Sequence, residues 1–537
     1  MRNHAGHSRS RQICHGLAST ERWLSCALLI LLTSAIINGF CAEGSDPLLD
    51  LLLKKGILTE DEAAKVKAEA EASRTNIETM PPVESKWKIS KAFKSIGLYG
   101  DIRMRYEGRK AEDPFGGSIE LQRLRYAVRA GLQGEVFDDF YFGFRLDTGA
   151  NPRSPWLNFG SSSSASPPYQ GPFGKSSASL DIGQAYIGWR GLDWLELAVG
   201  KMPNMLYTTP MVWDSDLAPE GFFEKFKYSV GEADFFATFG QFLYQDTNPT
   251  KSGNGYFNLT HTSANLPFLL AWQLGVNYHL TKTLTMKLAP VLYNYTAHGV
   301  NTTPPGASVA PDFSGTFVGQ GSTNNILGQN GGAWSGFPIG FYDGFTANQT
   351  AINDLLVLDI PWEVNLALEK FDLRLFGDYA QNLAGADRAQ AAYLGAQNAF
   401  QPIGGGYIGL IPSAQTGDTK AYQIGFGIGS KDSLGLVYGT TAKKHAWEFR
   451  TYWQHIEQYA LDPNLLDSDF FEGRANLEGI YAALAYGLTD NVIGTFRYGY
   501  ARRINDKLGT GGSNQDIPQM NPIERYNLLQ LDLTLKF

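Results

Sequence analysis

The side chains with the clearest chemical potential are six arginines spaced by twos in three early segments. Arg103 and Arg105 alternate with Ile102, Met104 and Tyr106, and Arg123, Arg125 and Arg129 interleave with Leu124, Tyr126 and Val128. Arg145 sits between Phe144 and Leu146 in a run that also holds Phe140 and Phe142. Spacing by two puts the arginines on one face of an extended chain and the apolar side chains on the other. Guanidinium groups gathered on one face attract anions and orient dipoles, but do not by themselves make or break bonds. The segment 203–221 supplies the opposite sign: Asp214, Asp216 and Glu220 lie beside Trp213 with no basic residue among them.

Catalytic and metal chemistry is poorly supplied. No Gly-x-Ser-x-Gly elbow, phosphate loop or cysteine pair is present. Asp214-x-Asp216 lacks the Gly and Glu of a calcium-binding EF-hand, and His445 and His455 are ten residues apart, too far for neighbouring ligands on one strand. The reading therefore assigns no catalytic residue, no metal and no cofactor. A barrel enzyme would need a His and a Ser on facing strands, and none can be placed.

The elements that must position these charges are strands. Period-two segments recur at 97–107, 121–133, 139–148, 180–190, 194–202, 222–230, 233–244 and 268–280, then at 283–295, 352–369, 371–382, 420–430, 443–457, 476–488, 491–502 and 525–537. That is about sixteen, an even number in the range of bacterial outer-membrane barrels. Leu434-Gly-Leu-Val-Tyr438, in the longer connection 431–442, is left open as an additional strand, which would change the count by up to two. The connections sort by length: Gly231-Glu232, Thr281-Lys282 and Thr489-Asp490 are tight, whereas 151–179, 296–351 and 383–419 are long and rich in Gly, Ser, Asn and Pro. Short turns at one rim and long loops at the other suit a barrel and have no rationale in a soluble sandwich. An arginine turned to lipid at mid-height would cost about 2 to 4 kcal/mol, so the six arginines are expected to face the lumen.

The last segment carries the same logic. Leu529, Leu531, Leu533, Leu535 and Phe537 alternate with Gln530, Asp532, Thr534 and Lys536. A strand ending the chain leaves an open edge unless the first strand pairs with it. Its alternation and terminal Phe537 resemble the closing strand of bacterial outer-membrane proteins, where the final aromatic belongs to the signal read by the barrel-assembly machinery.

Composition agrees with this class. Charged residues are 18% of the chain, below the roughly 25% of soluble domains, and aromatics are 13%. The mean hydropathy of -0.22 is uninformative for a barrel, because lipid-facing and lumen-facing residues cancel. The formal charge of -8 gives no support for nucleic-acid binding. Arg2, Arg9, Arg11 and Arg22 precede the apolar run Ala27-Leu-Leu-Ile-Leu-Leu32, which reads as a signal peptide over 1–44. Cys14, Cys26 and Cys41 all lie in that leader, so the expected mature chain has no disulfide.

Between leader and barrel, 45–96 reads as a periplasmic helical segment and linker, with Asp46-Pro47 starting one helix, Thr59-x-x-Glu62 capping a second and Pro81-Pro82 in the linker. The stretch Leu48-Leu-Asp-Leu-Leu-Leu-Lys-Lys-Gly-Ile-Leu-Thr-Glu-Asp-Glu-Ala-Ala-Lys-Val-Lys-Ala68, followed by a barrel-like chain over 97–537, resembles the lead-in of the Putative porin family of Gram-negative bacteria. The resemblance implies an all-β transmembrane antiparallel barrel in the outer membrane that passes small hydrophilic solutes and ions by diffusion. It also implies contact with membrane lipid and a homotrimer, and leaves the helices as a spacer or a contact with a periplasmic or cell-wall partner. In general porins the third external loop folds inward, and by strand count that loop here is 203–221, with Trp213, Asp214, Asp216 and Glu220 at the constriction opposite Arg103, Arg105, Arg123, Arg125, Arg129 and Arg145. Alternatives are a solute-specific channel for phosphate or another anion using the arginine wall, an outer-membrane barrel enzyme, and a soluble carbohydrate-binding β-protein.

Overall fold

The computed structural model describes Lys55 and residues 92–137, 139–149, 154–160, 179–244, 268–295, 355–390, 413–439, 443–511, 516–517, 520 and 522–537. The expected leader lies outside these residues, as does the 45–96 lead-in apart from Lys55 and residues 92–96.

Sixteen antiparallel strands follow one another around a closed sheet. They are β1 (Phe93–Glu112), β2 (Ser118–Val136), β3 (Phe140–Gly149), β4 (Ser179–Leu192), β5 (Leu195–Lys201), β6 (Glu220–Val230), β7 (Ala233–Leu243) and β8 (Phe268–His279). The circuit continues with β9 (Leu284–Leu288, resumed at Val291–Tyr295), β10 (Leu356–Asp359, resumed at Trp362–Ala367), β11 (Phe371–Asn382) and β12 (Lys420–Ser430). It ends with β13 (Trp447–Ile456), β14 (Leu477–Gly487), β15 (Val492–Arg503) and β16 (Arg525–Lys536). Closure is by β16 on β1, in register from Asp101↔Lys536 to Glu112↔Arg525. The last rungs use the final residue: Gly100 N donates to Phe537 O at 2.9 Å and Phe537 N to Gly100 O at 3.1 Å. Gly100 has no side chain because the Phe537 ring and the Arg129 carbonyl occupy the space a Cβ would need.

The breaks in β9 and β10 face each other. Leu288 pairs with Trp362 and Val291 with Asp359, so Ala289-Pro290 lies across from Ile360-Pro361. Proline has no N–H for the ladder, and the sheet continues around both through Ala289 N to Pro361 O and Leu274 N to Pro290 O.

Side-chain parity agrees with a membrane wall. Leu98, Leu124, Ile187, Leu274, Ile424 and Leu531 are exposed on the outer face, while Ala127, Phe223, Gln273, Asp378 and Gln530 are buried on the inner one. Two details were open in the sequence. The first upper connection, 113–117, is tight, closed by Gly117 N on Asp113 Oδ1 at 2.9 Å with Gly116 at φ 86°. Leu434–Tyr438 is not a strand: Leu436–Tyr438 forms a 3₁₀ turn between Gly435 and Gly439, at φ 110° and 68°, values that L residues rarely adopt.

Candidate functional site

All six arginines sit on the inner-face parity, and strands β1 and β2 place five of them side by side. Their register pairs Arg105 with Arg125, Glu107 with Arg123 and Asp101 with Arg129. Acids on the same face, Asp101 and Glu107, stand among the arginines as well as across from them. Arg103 Nε lies 2.8 Å from Asp101, Arg129 Nη2 2.8 Å from the same carboxylate, and Arg145 grips Asp147 with two bonds of 2.7 Å. Glu107, fully buried, accepts from Arg123 Nε at 2.7 Å, Arg109 Nη2 at 3.0 Å and Arg125 Nη1 at 3.5 Å. Arg105 binds Asp532 of β16 in a fork of 2.8 and 2.9 Å and reaches Asp469 at 2.7 Å, with its guanidinium 4.1 Å from the Trp156 ring centre. Each of the six thus has a carboxylate within 4 Å. The physical reason is solvation: so many guanidinium groups cannot leave bulk water together without counter-charge.

The 203–221 loop lies inside the barrel and is held at both sides. Tyr207 OH donates to Glu363 of β10 at 2.8 Å, and the Tyr207 main chain exchanges two 2.8 Å bonds with the Gln273 side chain on β8. Thr209 Oγ1 donates to Asp378 of β11. Trp213 is buried between Phe242 of β7 and Tyr293 of β9, with ring centres 6.2 and 6.4 Å away. At the far side Asp216 accepts from Arg129 of β2 at 3.3 Å. Asp214 does not face the arginines; its Oδ2 accepts from Ser468 N at 3.0 Å and Ser468 Oγ at 2.8 Å. Glu220 points away from the lumen, on the same face as the exposed Val199, and pairs with Lys201 at 2.6 Å.

A second loop, 457–476, meets the first. Asp214 N donates to Leu465 O at 2.6 Å and Asp467 N to Pro210 O at 3.3 Å, so the two loops clasp each other. Burial, with the nearby charges of Asp216 and Asp467, pushes the Asp214 carboxyl well up. Burial and Asp469 push Asp467 to about 7. For Asp469 burial acts upward but is outweighed by Arg105 and Arg109, which hold it down at about 2. Behind the clasp, the buried Arg474 donates to Thr510 O, Met520 O and Ile517 O at 3.1, 2.9 and 2.6 Å. From the opposite rim the turn bearing Leu436–Tyr438 also enters the barrel: Glu448 Oε2 accepts from Gly435 N and Val437 N at 2.8 and 2.9 Å, and Arg497 donates to Val437 O at 3.0 Å. The side of the lumen bounded by β13 to β16, β1 and β2 is therefore packed from both ends.

Sequence reasoning missed several of these residues, for two reasons. Glu107 and Arg109 continue the parity of Arg103 and Arg105, and Asp532 lies on the polar face of the closing strand, so that signal was available. Asp469, and Asp516, which lies 2.6 Å from Arg123 and 3.0 Å from Arg109, come from loops distant in sequence and carry no local mark.

A closed antiparallel barrel of sixteen strands, apolar outside and charged within, with loops turned inward, defines the porin class of outer-membrane channel. The chain belongs to the Putative porin family, whose model matches residues 117–537, and it is an outer-membrane channel protein. Among solved structures it is similar to OprB of Pseudomonas putida at 11% identity, covering 83% of this chain and 94% of that one with a TM-score of 0.42. It is also similar to OmpF of Salmonella typhi in complex with daunomycin (8%, 84% and 99%, 0.40) and to an anion-selective porin from Comamonas acidovorans (8%, 82% and 99%, 0.39). At such identities and scores they add nothing to the barrel itself. No curated protein matches the sequence.

Proposed function

We propose that the chain passes small hydrophilic solutes and ions by passive diffusion, and that Trp213, Asp214 and Asp216 of the 203–221 loop set the width of the path. The observation that carries this reading is the loop's anchorage on both walls, through Tyr207 on β8 and β10 and Asp216 on β2. A loop bonded to opposite walls narrows the space it crosses. The six arginines then act less as a free basic wall than as an ion-pair frame holding the inward loops, because breaking one partner out of such a buried set costs about 3 to 5 kcal/mol. Weak rather than tight contact with solute is what conduction requires.

The same reading takes 1–44 as a leader removed on export, 45–96 as a periplasmic segment serving as spacer or docking element, and 97–537 as the barrel unit. It takes Phe537 as part of the assembly signal and the working unit as a homotrimer, with no catalytic role for any residue. A solute-specific anion channel is the second reading, favoured by Lys225 of β6 and Lys287 of β9, which line one cavity and have no carboxylate within 4 Å among the described residues. Recording of the purified, heat-modifiable protein in planar bilayers tests the proposal: stepwise conductance that rises with salt concentration is expected. Folded protein that gives no steps above the bare bilayer would overturn it.

A further inference from the structure

The arginines that drew attention in the sequence are paired, whereas two lysines on β6 and β9 are not. Lys225 and Lys227 of β6 and Lys287 of β9 project inward around a cavity of about 490 Å³, beneath Met205 and Tyr207 of the 203–221 loop. Lys227 reaches Glu196 at 3.2 Å. Lys225 and Lys287 have no carboxylate within 4 Å and no hydrogen-bond partner among the described residues. Aromatic faces hold them instead: Lys287 Nζ lies 3.8 Å from the Tyr207 ring centre, and both ammonium groups lie 5.7 Å from that of Phe236. Phe236 can lie across the wall because its neighbour on β8 is Gly275, where a Cβ would strike the ring. The acids nearby already have partners: Asp234 takes Ser229 and His279 at 2.5 and 2.9 Å, and Glu363 takes Tyr207 and Asn365 at 2.8 and 3.0 Å.

We infer that Lys225, Lys227 and Lys287, with Phe236 and Tyr207, form a weak binding station for small anions in transit, and that this wall rather than the arginine wall sets ion preference. The inference rests on the porin reading. An ammonium group held by a ring face keeps N–H donors free for an incoming oxyanion, which a cation already bonded to a carboxylate does not. A carboxylate or a phosphate presents the same oxygens to these donors. A solute carrying an aromatic ring beside its carboxylate gains contact with Phe236 and Tyr207 as well.

The test is reversal potential across a potassium chloride gradient for the parent and for the K225Q/K287Q double variant. At low salt, on the order of 0.1 M, the double variant should lose roughly threefold in chloride-over-potassium preference, with the difference shrinking as salt rises. Benzoate, acetate and inorganic phosphate are then added to the chloride bath. Each should lower chloride current in the parent but not in the variant, with benzoate acting at the lowest concentration, and K225R/K287R should behave as the parent. Phosphate acting more strongly than benzoate would discard the aromatic part and keep the anion station. Should the double variant fail to assemble, K225Q and K287Q alone carry the same test with smaller shifts. Unchanged reversal potential and unchanged anion block would overturn the inference. A parent that conducts no ions at all would instead overturn the porin reading.

Discussion

At the scale of single residues, the lumen shows that parity and role are separate questions. Parity was legible in the sequence: alternation of Arg103 and Arg105 with Ile102, Met104 and Tyr106 placed the charges correctly, because only one face of a barrel strand tolerates them. Role was not legible, since it depends on partners such as Asp469, hundreds of residues away in the chain. The three acids of the inward loop illustrate the point. They share a sequence neighbourhood, but Asp216 meets Arg129, Asp214 meets Ser468 and Glu220 faces outward to Lys201. Neutralising them should therefore have unequal effects. Asp216→Asn should shift preference toward anions only slightly, well below the change in the lysine variant, since Arg129 keeps its bond to Asp101 on the packed side of the lumen. Glu220→Gln should leave the reversal potential where it was. Equal shifts in the two variants would mean that Glu220 reaches the path after all.

At the scale of elements, strands were the most legible feature and the segment 431–439 the least. Its run Leu434-Gly-Leu-Val-Tyr438 has the apolar content of a strand, but left-handed glycines at 435 and 439 close it into a 3₁₀ turn that enters the barrel. The inward loops depend on each other in a way that local sequence cannot reveal, and their clasp should respond to pH. Asp467, raised from 3.8 to about 7, binds its proton more tightly in the closed clasp than in an opened loop. Its contribution is therefore fully present below the ordinary carboxylate range and is lost as pH rises through about 7, where a further negative charge joins that of Asp469. Current fluctuations of the open channel should become more frequent between about pH 5 and about pH 8. In Asp467→Asn that dependence should flatten. The same slope in variant and parent would assign the titration to another group.

At the scale of the whole molecule, the barrel's closure was legible from its two ends and its sixteen-fold alternation. The division of its interior was not. One side of the lumen is packed with ion pairs, aromatic side chains and inward loops, and the other carries the lysine-lined cavity beneath Tyr207. Ions are expected to travel along the latter side. Cys14, Cys26 and Cys41 are the three cysteines of the chain, so single cysteines are introduced with these three replaced by Ser. The most direct measurement is single-channel conductance before and after adding a bulky charged thiol reagent to two variants. Asn277→Cys lines the cavity on β8, and Thr495→Cys lies on the inner face of β15, on the packed side. A lasting drop in conductance for Asn277→Cys with none for Thr495→Cys is the expected result. Block of Thr495→Cys while Asn277→Cys conducts unchanged would contradict the account.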